Sequence, residues 1–221
     1  MANLNDLGAK LLSADDVRAL FAGAWWHEVF STMRPTMVQF FDHSLAVDEL
    51  APGDGPWAII VHGDLHATGD LDFTTSDYKT SLLVVQGGVR ARNFRFTNGA
   101  TCVVAHDLVA SDFVMGRYGD ESARLEVGGV LRARALLLDH VTGVDVSELD
   151  AIVCTSEGWR LPIDIEYQAK HGSIFEPEVL HDGSIDLGLA WQAATAGDPI
   201  FLPGVEAELR TTPRLRDRDW R

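Results

Sequence analysis

The segment Val61-His-Gly-Asp-Leu-His-Ala67 recurs in related form three more times along this 221-residue chain. Each copy has valine at the first position, leucine or valine at the fifth and alanine at the seventh, and three copies have glycine at the third. The final alanines lie 24, 19 and 23 residues apart. The other copies are Val85-Gln-Gly-Gly-Val-Arg-Ala91, Val104-Ala-His-Asp-Leu-Val-Ala110 and Val127-Gly-Gly-Val-Leu-Arg-Ala133.

This repeat predicts stacked β-strands. Apolar residues alternate with period two within each copy, as in a strand with one buried face. A spacing of about 22 residues is too short for a β-α-β unit but suits one coil of a β-solenoid. We therefore predict a mainly β protein with a right-handed β-helix of about four coils over residues 57–148. An N-terminal helical segment (1–50) and a mixed C-terminal cap and tail (149–221) are expected to flank it.

Large apolar residues after each final alanine indicate a corner in every coil. Alternation resumes there out of step with the preceding strand, so the chain is expected to turn from one sheet to the next. Stacking of the coils would then align these large residues in the interior. The pairs concerned are Phe94 and Phe96, Phe113 and Met115, and Leu136 and Leu138.

The N-terminal segment has the pattern of an amphipathic helix. Ser13 is a suitable N-cap, and apolar residues recur at helical spacing from Val17 to Phe30. The helix should end near Met33, because Pro35 disfavours helical geometry in the residue before it. We also expect residues 1–12 to be loosely held and residues 37–41 to form a short helical turn.

The C-terminal region has a mixed pattern. Residues 163–167 alternate as in a strand, and residues 186–196 have the pattern of a helix that ends at Gly197. A final strand is expected over residues 200–202. Residues 210–221 contain five arginines and two aspartates and are expected to form a frayed terminus.

Composition excludes several classes of function. The formal charge of -15 argues against a nucleic-acid binder and would steer the protein towards a basic partner. The chain shows neither a signal-peptide pattern nor an apolar run of membrane-span length, so we expect a cytoplasmic protein without membrane contact. The two cysteines, Cys102 and Cys154, are expected to be small buried residues rather than disulfide partners or zinc ligands.

The histidines are the first candidates for a catalytic or metal site. His62 and His66 lie four residues apart, and in one strand they would share a face about 13 Å apart, too far to bind one ion. His106 stands where the other copies have glycine, so we expect it to fill a widened interior or corner. The sequence contains no nucleophile elbow, phosphate-binding loop, dinucleotide fingerprint or HExxH motif. We therefore expect no catalytic residue, metal ion or cofactor.

Four arginines are candidates for a partner-contacting surface. Two flank the final alanine of the second copy, and two flank that of the fourth. Their strand parity is opposite to that of the core residues, so all four should point outward, with the pairs about 10 Å apart. The alternative interpretation is that these charges prevent sideways aggregation of exposed strands. The candidate contact residues are Arg90, Arg92, Arg132, Arg134, His62 and His66.

The V-x-G-x-L-x-A copies resemble the coils of bactofilins, the polymer-forming cytoskeletal proteins of bacteria. Gly116-Arg-Tyr-Gly-Asp120, Leu138-Asp-His140 and Phe175-Glu-Pro-Glu-Val-Leu180 are similar to segments of a group of uncharacterised bacterial proteins often labelled by that repeat. The resemblance covers roughly residues 57–200 and implies a bacterial β-helix. Its motifs are structural, so it implies no catalytic residue.

Three hypotheses for function follow. The leading one is a non-enzymatic protein-binding solenoid, specifically an immunity or antitoxin-like protein that neutralises a basic bacterial toxin by surface complementarity. A homodimer is compatible with it. The second is a polymer-forming scaffold, which the flanking segments disfavour because they are well placed to cover the open ends of the solenoid. The third is a solenoid enzyme that uses His62, His66, His106 or His140.

Overall fold

The structure is a computed structural model that describes residues 7–24, 26, 30, 37–117, 123–139, 142–155 and 172–214. The predicted β-helix is confirmed: the chain is mainly β and forms a solenoid of six coils. The strand β1 (Lys10–Ser13) precedes the solenoid, and the first coil consists of β2 (Met37–Phe41) and β3 (Leu45–Val47). The next three coils have three strands each: β4 (Ala58–Val61), β5 (Leu65–Ala67) and β6 (Leu71–Thr74); β7 (Thr80–Val85), β8 (Val89–Ala91) and β9 (Phe94–Thr97); and β10 (Gly99–Val104), β11 (Leu108–Ala110) and β12 (Phe113–Arg117). The fifth and sixth coils are each one long bent strand, β13 (Arg124–Leu138) and β14 (Gly143–Thr155).

The register of strand pairing follows the sequence repeat. The first-position valine of each copy pairs in parallel with the valine of the next copy, and the fifth-position residues pair in the same way. The prediction of about four coils missed one coil at each end. In the first coil, Phe41 takes the place of the repeat valine and Val47 that of the alanine. In the last coil, Val146 and Leu149 align with the repeat but are one residue closer together.

The three strands of each complete coil meet at corners, so the solenoid has three faces. The first face contains β2, β4, β7, β10 and the starts of β13 and β14. The second contains β3, β5, β8, β11 and the middle segments of β13 and β14. The third contains β6, β9, β12 and the ends of β13 and β14. Inward-pointing residues of all three faces form one continuous core.

The third face departs in part from the predicted interior stack. Phe113 and Met115 point outward into the C-terminal cluster, while the alternate positions Val114 and Gly116 align with the inward residues of the neighbouring coils. The prediction for these two residues was wrong because this part of the face is buried on both sides, so hydrophobicity does not identify the inner side. The other four predicted residues point inward, namely Phe94, Phe96, Leu136 and Leu138.

The N-terminal segment covers the first face. β1 (Lys10–Ser13) pairs antiparallel with β2, and α1 (Ala14–Leu20) follows with Ser13 as its N-cap. The side chains of Val17, Trp26 and Phe30 pack on outward residues of the first face such as Ile60. These aromatic side chains therefore complete a second apolar layer outside the solenoid.

Three predictions for this segment were wrong. The predicted helix is interrupted after Leu20, where α1 ends, because residues 21–23 form a turn in which Gly23 has a φ of 88°; its predicted end near Met33 lies outside the described residues. Of the segment expected to be loosely held, residues 10–12 form part of β1, and residues 1–6 lie outside the described part of the chain. Residues 37–41 form a strand instead of a helical turn. Of the predicted apolar stripe, Trp25 and Val29 lie outside the described residues.

The C-terminal region packs on the third face as a mixed cap. It contains two short 3-10 helices (Gly172–Ile174 and Pro177–Val179), the hairpin β15 (Leu180–His181) and β16 (Ser184–Ile185), and the helices α2 (Leu187–Ala196) and α3 (Val205–Thr211). α2 agrees with the predicted helix and ends at Gly197 in the left-handed conformation. Phe201 forms one bridge with Phe175 rather than a strand. Residues 163–167 and 215–221 lie outside the described part of the chain.

None of the described helices is both long and apolar enough to cross a membrane.

Alanine at Gly129 is expected to destabilise the solenoid by about 1–3 kcal/mol, because a β-carbon there would collide with Oδ1 of Asp107 and crowd the backbone of His106. Urea unfolding would measure the loss. Gly143→Ala is the matched control in the next coil, where the nearest atoms to a β-carbon lie at 3.7 Å. Equal effects of the two substitutions would contradict the proposed close contact between coils.

Candidate functional site

One lateral face of the solenoid is left uncovered over its central coils by the rest of the described chain. The first face packs against the N-terminal segment and the third against the C-terminal cap. The outer side of the second face belongs to neither of these two clusters, and other described segments reach it only at its ends, where Leu7 lies near Ala46 of the first coil and Arg214 binds two backbone carbonyls of the last coil. We call the outer side of the second face the open face.

Each coil places one outward side chain at the centre of the open face. Each strand there has three residues, and the first and third point into the core. In β5, for example, buried Leu65 and Ala67 flank exposed His66. Parallel register stacks the central side chains in a single column, with neighbouring coils about 4.8 Å apart. We call this column the ridge, and it consists of Ala46, His66, Arg90, Val109, Arg132 and Asp150.

A second column, the corner column, lies two residues before the ridge. Oδ1 of Asp64 accepts a hydrogen bond from the backbone N–H of Gly88 at 2.7 Å, and Oδ1 of Asp107 accepts one from Val130 at 2.9 Å. Each aspartate therefore satisfies a backbone N–H group at the corner of the following coil. Gly87 and Gly129 lie beside these carboxylates, where a β-carbon would collide with them. The corner column consists of Ser44, Asp64, Gly88, Asp107, Val130 and Glu148.

Charge alternates from coil to coil along these two columns. The second coil contributes Asp64, the third Arg90, the fourth Asp107 and the fifth Arg132. The sixth coil ends the series with acidic residues at 148 and 150. Charges of like sign are therefore about 10 Å apart along the solenoid axis. The open face thus presents an ordered pattern of both signs.

Two of the predicted contact arginines bind the C-terminal cap. Arg92 donates to both carboxylate oxygens of Asp70, at 2.9 and 2.8 Å, and to the carbonyl of Thr195 in α2 at 3.1 Å. Its hydrogen bonds to Asp70 raise the pKa of Arg92. Arg134 donates to Glu206 of α3 at 2.7 Å. Both arginines lie on the outer side of the coil, and both serve attachment of the cap.

The other two arginines belong to the ridge. Arg132 donates to Asp150 at 2.8 Å, in an ion pair whose side chains are both more than half exposed. The hydrogen bond to Asp150 raises the pKa of Arg132. Arg90 is exposed, and no described residue forms a hydrogen bond or ion pair with its side chain. Arg90 is therefore the ridge cation most available to another molecule.

The candidate histidines lie in separate places. The ring of His62 is centred 6.0 Å from that of Phe21 and 6.4 Å from that of Phe40, so it contacts the N-terminal segment. His66 lies on the ridge. The expectation that these two share a face was wrong because β4 ends at Val61, and a corner separates them. His106 is exposed at a corner. His140 lies outside the described residues.

A shallow groove of about 430 Å³ follows the open face over the second to fourth coils. Its charged and polar lining comes from both columns and from His106, which directly precedes Asp107 of the corner column. The groove therefore exposes imidazoles, a guanidinium and carboxylates to the same space. These lining side chains are Asp64, His66, Arg90, His106 and Asp107.

Metal-binding and thiol chemistry have few candidates in the described part of the chain. No three of its His, Cys, Asp or Glu side chains are grouped so that they could hold a metal ion. Cys102 and Cys154 are buried, and burial raises the pKa of both thiols, that of Cys154 to about 12. Since the thiolate is the reactive form, both cysteines act as small core residues.

Comparison with known proteins returns no match for this chain among protein family models, curated proteins or solved structures. The fold is a β-solenoid with covering segments, an architecture compatible with a protein-binding or scaffold role. The resemblance to bactofilins stays a prediction.

Sequence reasoning missed the corner column. Its signal lies three residues before each repeat alanine, where the four copies read Asp64, Gly88, Asp107 and Val130. Alternation between a carboxylate and a small or apolar residue at one repeat position is visible in the sequence. The role of these aspartates becomes clear only when the coils are stacked, because the following coil supplies the backbone N–H groups that donate to them.

Proposed function

We propose that this protein is a non-enzymatic protein-binding β-solenoid that binds its partner on the open face. The proposal rests on the observation that flanking segments of the chain bury two of the three faces of the solenoid and leave the remaining one exposed. Apolar side chains such as Val17 and Trp26 cover the first face, and the cap covers the third. The open face instead combines buried strand residues with a ridge on which the exposed charged side chains of Arg90, Arg132 and Asp150 stand, as at the polar rim of a protein interface.

Electrostatics favour a basic partner. The chain carries a formal charge of -15, and exposed acidic side chains lie on the sixth coil of the open face and at the corner beside its first coil. Glu49 is exposed beside the first coil, and Glu148 is exposed at the sixth. Such a field speeds association with a basic protein and suppresses binding of acidic ones. We propose an immunity protein that neutralises a basic bacterial toxin as the specific form of this function.

Two contacts support a binding protein over a polymer-forming scaffold. At one end of the solenoid, β1 pairs with β2 and occupies its free edge. At the other end, Arg214 donates to the carbonyls of Leu149 and Ala151 in the last coil, at 3.1 and 2.8 Å. Side chains that satisfy or cover the terminal coils oppose stacking of further copies end to end.

Co-expression with the product of each adjacent gene tests this function. The expected result is a complex with one of these products that dissociates as salt rises, together with rescue of cells from that product's toxicity. If neither neighbour binds and neither is toxic, the immunity role is wrong. If the purified protein forms filaments in the electron microscope, the scaffold interpretation is correct instead.

The double substitution Glu49→Gln with Glu148→Gln is expected to weaken that complex by about five- to thirtyfold, because it removes one exposed acidic charge from the open face and one from the corner beside its first coil. Isothermal titration calorimetry would measure the change. Asp77→Asn with Glu178→Gln removes the same charge from exposed positions elsewhere and is expected to have a much smaller effect. An equal loss in both double variants would place the partner outside the open face.

A further inference from the structure

The alternating charges of the open face make it complementary to itself. Asp64, Arg90, Asp107 and Arg132 run negative, positive, negative, positive over the second to fifth coils. A series of this kind is antisymmetric about its midpoint, which lies between the third and fourth coils. A two-fold axis at that point, parallel to the strands, therefore places each charge opposite one of the other sign.

We propose that a second copy of this chain occupies the open face in a symmetric homodimer about this axis. Arg90 of one copy then faces the fourth coil of the other, where Asp107 lies two residues from the ridge. That offset is about 7 Å along the strand, across a separation of about 10 Å between packed sheets, which an extended arginine spans. Arg132 meets Asp64 of the second copy in the same way. Symmetry doubles both pairs.

The charge pattern also favours this two-fold axis over alternative positions of the axis. A two-fold axis along the solenoid would place Arg90 opposite Arg90 and Arg132 opposite Arg132. If the chosen axis moved by half a coil spacing, so that it lay on the third coil, Arg90 would again face Arg90 of the second copy. Like charges at such contacts oppose association. With the axis between the third and fourth coils, the first coil of one copy faces the sixth of the other, the second faces the fifth and the third faces the fourth. Acidic Asp150 then faces Ala46 of the second copy.

The interface is small, so the dimer is weak and salt-sensitive. Six coils span about 24 Å, and the face is three residues, about 10 Å, wide between its corners, so the total buried area lies below the roughly 1,000 Å² of a stable interface, in the range of weak, transient contacts. The second copy and a protein partner use the same face, so the two contacts exclude each other. The dimer is independent of the function proposed above, and a monomer would leave that function untouched.

Val109 provides the test because it lies at the centre of the ridge, opposite Arg90 of the second copy. Val109→Glu adds a carboxylate facing that guanidinium and is expected to tighten the dimer by about three- to tenfold. Val109→Lys adds a like charge and is expected to weaken it by a similar factor. Sedimentation equilibrium at about pH 8, over protein concentrations from about 5 to about 500 µM, would measure the dissociation constants of both variants.

Gln192→Glu and Gln192→Lys are the matched controls, since Gln192 is exposed on α2 and these changes add the same charges outside the open face. They are expected to leave the dissociation constant unchanged. A monomer at every concentration, for the native chain and for Val109→Glu, overturns the proposal. So does a dimer whose dissociation constant is indifferent to both Val109 substitutions, because its interface then lies elsewhere. Circular dichroism of each variant confirms that the solenoid is folded.

Discussion

Replacing Phe94 by alanine is expected to lower the free energy of unfolding by about 3–5 kcal/mol. Phe94 is completely buried at the start of β9, where it stacks between Leu71 of the second coil and Val114 of the fourth. Its ring centroid lies 5.5 Å from that of Phe73 and 6.3 Å from that of Phe96. Removing the ring leaves a cavity between three coils that the rigid strands cannot close.

Chemical denaturation monitored by circular dichroism would measure this loss. Val109→Ala is the comparison on the open face, where a partly exposed side chain is expected to contribute no more than about 0.5 kcal/mol. A loss below about 1 kcal/mol for Phe94→Ala would mean that the third face is not packed in the register described. Such a result would contradict the stacked interior.

Replacing Asp70 by alanine is expected to cost about 2–4 kcal/mol, somewhat less than breaking a fully buried ion pair. The Asp70 side chain is only 8% exposed, and it accepts hydrogen bonds from Arg92 and from Nδ2 of Asn93 at 2.9 Å. Both donors also reach the C-terminal carbonyls of α2, those of Thr195 and Ala194. The substitution therefore leaves a guanidinium without its partner and loosens the contact between the solenoid and the cap.

Hydrogen exchange gives a second measurement of the same variant. The amides of α2 are expected to exchange faster in Asp70→Ala, while those of the first four coils change less. Asp150→Ala is the matched control, because it removes the exposed partner of Arg132 and should cost less than about 1 kcal/mol. If Asp70→Ala and Asp150→Ala were equally mild, the buried cluster would not hold the cap.

The contrast between these two ion pairs shows what the sequence could and could not predict about the arginines. Arg92 and Arg132 occupy similar places beside a repeat alanine, and parity places both outside the coil. Their environments differ because α2 lies over one and solvent over the other. Approach of a helix more than 90 residues away along the chain leaves no trace in the repeat itself.

A clue to the covered faces was nevertheless present in the strands. The first face has continuous apolar runs such as Ile59-Ile60-Val61 and Leu82 to Val85, which are typical of strands buried on both sides. The open face alternates, as in Leu65-His66-Ala67. Read together, these patterns separate the two kinds of face, although they do not identify the segment that covers the first.

The sequence by itself determined the solenoid, because the stacking of identical positions requires a repeated order of apolar and small residues, and that order is local. It also determined the inward residues of the four central copies, such as Val85 and Leu108. Only the tertiary structure decided which outward residues meet solvent. The open face exists because the N-terminal segment and the cap bury the other two, and their positions depend on contacts between parts of the chain that are distant in sequence.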